Sequence, residues 1–68
     1  MDIAQALKEA ADLAGWSVTK IAAEAGVGEG TARYWVTGER EPRGSQLMTL
    51  RRALPGFAKL LDSNTVAI

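Results

Sequence analysis

The side chains of this 68-residue chain that could engage a ligand crowd into its middle third. Gly28, Glu29, Gly30, Arg33, Tyr34 and Thr37 fall at three- and four-residue intervals, which places them on one face of a helix. Such a face offers hydrogen bonds rather than catalysis. An arginine in mid-helix can donate two bonds to O6 and N7 of guanine, and a glutamate can accept from N4 of cytosine. A tyrosine can lay its ring on a thymine methyl or point its hydroxyl at a phosphate. Ser17, Thr19, Lys20, Thr31, Arg40 and Arg43 flank this face and are candidates for phosphate contacts, which orient a protein without reading sequence.

Plainer roles stand beside these. Arg33 can be a solvated surface arginine, and Tyr34 a half-buried packing residue. Glu29, in the first turn of a helix, complements the helix dipole. Gly30 inside a helix costs roughly 1 kcal/mol relative to Ala, which fits either close approach to a partner or simple tolerance near a helix start. Arg51 and Arg52 can serve a nucleic acid, an ion pair or solvent alone.

Histidine and cysteine are both absent. That removes disulfides, thiolate metal sites, the usual zinc ligand and the commonest general base. No partner for a Ser or Lys nucleophile is found, so no enzyme, metal or cofactor is expected. No apolar run approaches the roughly 20 residues of a membrane span, and the N-terminus lacks a signal pattern. The expectation is a soluble cytoplasmic, nucleoid-associated protein with no membrane partner. Net charge is zero but unevenly placed. Residues 1–30 hold two lysines against five acids, and residues 31–60 hold six cations against two acids. A basic second half suggests an anionic partner, although the pI of 6.1 is below that of many nucleic-acid binders.

Helices must hold these residues in place. Ile3, Ala6, Leu7, Ala10, Leu13 and Ala14 form one apolar stripe, with Asp2 as cap and Gly15 as stop. Ser17 caps a second helix that ends at Gly26, and Gly38 closes a third. Ser45 is expected to cap a fourth helix, and Pro55 to open a short fifth. The predicted helices are 3–14, 18–25, 29–37, 45–54 and 56–62, in one domain over residues 1–62. The tail 63–68 is expected to be flexible or to cover an interface. Phe57, Leu60 and Leu61 are either core or a two-fold interface.

Two short helices about a glycine turn make a helix-turn-helix. Ala22 sits four residues before Gly26, where the helices cross closely, while Val27, Ala32 and Trp35 plug the angle between them. Trp16 staples the start of the second helix. With Ser17, Ile21, Ala22, Ala25, Gly26, Val27, Thr31, Trp35, Gly38, Arg40 and Pro42, continued by Leu47, Leu50 and Leu54, the chain resembles the lambda-repressor-like and Cro-like (XRE-type) helix-turn-helix domains over residues 3–61. It departs from their pattern at Val18, Gly28, Glu29 and Val36. The resemblance implies an all-α, compact four- to five-helix fold binding double-stranded DNA as a homodimer. The reading is a sequence-specific transcriptional regulator, a small repressor of prokaryotic or phage type on a pseudo-palindromic operator. With no length left for an effector domain, regulation is expected through concentration, operator occupancy or a regulatory protein partner. The alternative is a protein-interaction module such as an antitoxin.

Overall fold

In the computed structural model residues 2–66 are described, with side chains from Asp2 to Asp62. Five helices follow one another: α1 (Ile3–Ala14), α2 (Val18–Ala25), α3 (Glu29–Thr37), α4 (Ser45–Ala53) and α5 (Pro55–Val66). Among the described residues there is no strand.

Local chemistry sets the helix ends. Asp2 accepts a 2.8 Å bond from the Gln5 amide, and Ser17 Oγ accepts one of 3.2 Å from the Lys20 amide. Each satisfies a backbone N–H that a helix start otherwise leaves bare. At the other end of α1, the Trp16 amide donates to the Ala11 carbonyl and the Gly15 amide to that of Asp12. This paired closure caps the last carbonyls and turns the chain away.

Ala6, Leu7, Ala10 and Ala11 form the buried side of α1, while Leu13 of its apolar stripe stays exposed. α1 packs on α3 and α5, α2 on α3 and α4, and α4 on α5. Leu7, Ile21, Trp35, Leu50 and Phe57 are the large side chains of a single core, with Ala6, Ala10, Ala11, Ala22 and Ala32 between them. The alanines let backbones come close, and the few large residues fill what remains. The polar loop 38–44 is pinned by Pro42, whose ring is fully buried. Arg51 and Asp62 form an ion pair at 3.1 Å that joins α4 to α5.

Several expectations change here. Phe57 is 0% exposed and belongs to the core, so it is not an interface residue. α5 lies close enough to α1 that a Cβ on Gly56 would stand 3.9 Å from that of Ala10, and Phe57 is covered as a consequence. Leu60 and Leu61 are partly buried against the same core. The fifth helix extends past residue 62 to Val66, so the expected tail is helical over 63–66; residues 67–68 lie outside the described residues. α4 ends at Ala53, one residue before the expected 54, because Leu54 has left helical geometry and is buried. Ser45 is the first residue of α4 rather than its cap, a place held by Gly44 at φ 55°.

Phe57→Ala should therefore lower stability by about 3–5 kcal/mol, the usual loss for a fully buried phenylalanine, measured by urea denaturation. An unchanged midpoint would return Phe57 to the surface.

Candidate nucleic-acid interface

The site begins at the α2–α3 corner. Gly26 adopts φ 72°, ψ 33°, and the following Val27 amide donates to the Ala22 carbonyl at 3.0 Å. An L-residue with a side chain would lose about 1–2 kcal/mol in that left-handed conformation. Ala22 and Ala32 are both buried beside the corner, and Trp35 is 2% exposed. With Ala32 and Trp35 turned into the core, the other side of α3 must face outward. Gly28, Glu29, Gly30, Arg33, Tyr34 and Thr37 are all exposed, as are Ser17, Thr19, Lys20, Thr31, Arg40 and Arg43.

The exposed side chains are organised among themselves. Glu29 uses both carboxylate oxygens: Oε1 accepts from Arg33 at 2.8 Å, and Oε2 accepts from the Thr19 hydroxyl at 2.9 Å. The Arg33 and Glu29 side chains are 63% and 50% exposed, so solvent screens the pair and its contribution is only about 0.3–0.5 kcal/mol. Its value is geometric, because one carboxylate ties the first turn of α2 to the mid-helix arginine of α3. Glu29 also stands in the first turn of α3, where the dipole favours an anion. Gly28 caps that helix without any side-chain bond.

A second link lies at the far end of α3. The Arg40 guanidinium sits 5.4 Å from the centre of the Tyr34 ring, and the Arg40 amide donates to the Tyr34 carbonyl at 3.2 Å. Tyr34 is 44% exposed, part covered and part open to solvent. Thr37 donates from its hydroxyl to the same carbonyl. At the start of α2, Lys20 pairs with Glu24 at 3.0 Å and lies 5.4 Å from the Trp16 ring centre. Trp16, Val18, Ile21 and Val36 help line a groove of about 250 Å³ beside this end of α2.

The sequence-derived residues thus join into two groups, Thr19–Glu29–Arg33 and Tyr34–Arg40, with Lys20 engaged separately. Arg43 is exposed and enters no ion pair among the described residues. Arg51, open between three roles in the sequence, is committed to Asp62. The Glu29–Arg33 pair was visible in principle as an i, i+4 spacing of opposite charges. The Thr19 bond was not, since ten residues separate it from Glu29 and only the folded corner brings them together.

A five-helix bundle carrying a glycine-cornered helix pair with a polar outer face is a DNA-binding helix-turn-helix domain. A family model described as helix-turn-helix matches residues 7–56, from α1 to the start of α5. The chain belongs to that family, the lambda-repressor-like helix-turn-helix domains. Searches of the curated proteins and of the solved structures gave no match. Among the described residues no helix is long and apolar enough to cross a membrane.

Gly30 has no role in the chain's own packing, because a Cβ built there meets nothing within 4 Å. Gly30→Ala should stabilise the free protein by about 0.5–1 kcal/mol and raise its thermal midpoint by about 2–8 °C, read by circular dichroism. A lower midpoint would mean that this position needs glycine for folding.

Proposed function

We propose that the protein is a sequence-specific transcriptional regulator, a small Cro-like repressor, that sets α3 into the major groove of double-stranded DNA. The observation that supports this most is the outward face of α3, exposed along its length while its opposite side is locked into the core by Ala32 and Trp35. A major groove about 12 Å wide admits such a helix. Arg33 would read guanine, and Tyr34 and Thr37 would meet neighbouring base edges or methyls. Gly28 and Gly30 would let the backbone approach closely, with Glu29 beside them. Ser17, Thr19, Lys20, Thr31, Arg40 and Arg43 would grip phosphates on either side. Surface ion pairs such as Lys20–Glu24 are weak, so exchanging a carboxylate for a phosphate costs little.

Binding as a homodimer would set two copies of α3 about 34 Å apart, on half-sites one helical turn from centre to centre. Leu60 and Leu61 on α5 remain in the proposed two-fold interface, partly buried as they are; Phe57 does not. DNA binding would make the protein cytoplasmic and nucleoid-associated. A second reading, an antitoxin-like protein-interaction module, draws on the exposed apolar side chains Leu13 and Met48, at 82% and 54%. A gel shift on random DNA at low salt separates the two: no binding at micromolar protein favours the second.

Selection of bound duplexes from a random pool should return a pseudo-palindrome; a site without symmetry would contradict the homodimer. On the selected site, Arg33→Ala should remove about 1–3 kcal/mol of discrimination at one base pair per half-site. Arg40→Ala should instead weaken all sequences alike and flatten the salt dependence. Identical behaviour of the two variants on specific and random DNA would overturn this division of labour.

A further inference from the structure

We propose that Glu29 is the specificity-determining residue of the α3 surface, holding Arg33 in position for guanine while opposing every duplex that leaves the pair unsatisfied. The proposal rests on the reading that α3 enters the major groove. It comes from the three-membered chain Thr19–Glu29–Arg33, in which both oxygens of one exposed carboxylate are engaged from two different helices.

An isolated i, i+4 ion pair at this exposure would hold a flexible arginine poorly, since ordering two long side chains offsets most of the attraction. The Thr19 hydroxyl changes that balance. It fixes the carboxylate from the first turn of α2, so Arg33 binds an anchored group rather than another mobile one. A guanidinium has five N–H donors, and the Glu29 bond occupies one of them on a single terminal nitrogen. The donors that remain still include a fork for guanine O6 and N7. Arg33 is therefore able to contact guanine without releasing Glu29, and its side chain is ordered before DNA arrives.

The charge of Glu29 acts in the opposite direction. Duplex DNA carries one negative charge per roughly 1.7 Å of axis, so a carboxylate on the presented face weakens approach to any sequence. Where guanine meets Arg33, the guanidinium lies between two acceptors and both are satisfied. A neighbouring cytosine N4 amino group would satisfy the carboxylate further. Where the bases offer neither, the ion pair loses water without gaining partners, which penalises the wrong site. Glu29 thus lowers overall affinity and raises the ratio of specific to random binding.

Three variants separate the holding of Arg33 from the charge. Glu29→Gln keeps the shape and a carbonyl acceptor but removes the charge; Glu29→Asp keeps the charge with a shorter reach; Thr19→Val removes the anchor together with an uncharged phosphate contact, whose loss weakens specific and random binding alike and so cancels in their ratio. All three sit on the exposed surface, and circular dichroism checks that each is folded. On random DNA, Glu29→Gln should bind about three- to tenfold more tightly, with the slope of log affinity against log salt steeper by about 0.9. Its selected-to-random ratio should fall about tenfold. Thr19→Val and Glu29→Asp should leave the salt slope unchanged while the ratio falls, because the charge stays and the positioning goes. In the DNA-free protein, NMR should show slow rotation of the Arg33 guanidinium that speeds up in all three variants.

If wild-type protein binds the selected site but Glu29→Gln leaves ratio and slope unchanged, or weakens both DNAs equally, this role of Glu29 is wrong and the regulator reading survives. Equal guanidinium rotation in wild type and Thr19→Val overturns the positioning part even without DNA. If wild type binds no DNA at low salt, the reading beneath the proposal falls, and the proposal with it.

Discussion

The angle between α2 and α3 depends on a place where side chains are nearly absent. Ala22 and Ala32 let the two helices meet, and Trp35 then fills the space beneath with the largest side chain in the core. Gly26 in its left-handed conformation turns the chain within a residue or two. Once Trp35 and Ala32 point inward, helical geometry alone sends residues 29, 30, 33, 34 and 37 outward. The presented surface is a consequence of the core, and nothing in the surface itself has to hold it there.

Size sharpens this dependence. A chain of 68 residues buries only about 60% of the surface its unfolded form exposes, so few large side chains can be spared from the interior. Phe57 illustrates the point, because α5 lies against α1 and α4 and takes this ring with it. The charges are arranged with similar economy. Lys20, Arg33 and Arg51 each face a carboxylate of the same chain. Arg51 is tied down between α4 and α5, while the pairs on α2 and α3 remain exposed.

Much of the fold was legible because its signals are local. Asp2 and Ser17 cap the helices they precede, and Gly15, Gly26 and Gly38 stop the helices they follow. The spacing of Ala32 and Trp35 told which side of α3 faces inward. What escaped was long-range. Periodicity identified Phe57 as apolar but could not say that α1 would cover it. Nothing local in the sequence says that the ring of Pro42 is buried. Ser45 looked like a cap by residue type, but the positive φ of Gly44 sets the chain so that Ser45 starts the helix instead. Residues Ser63 to Thr65 are poor helix formers, and α5 nevertheless continues through them. The candidate surface showed the same division: its residues came from spacing, whereas the Thr19–Glu29 bond and the Arg40–Tyr34 stacking exist only once the helices are in place.

The central claim is tested most directly by following the backbone amides of isotope-labelled protein by NMR as a selected duplex is added. The account requires the largest shifts along residues 28–37, with smaller ones at 17–20 and 40–43, and little change along α1. Shifts concentrated on α1 and α5, with 28–37 undisturbed, would show that nucleic acid meets a different side of the molecule.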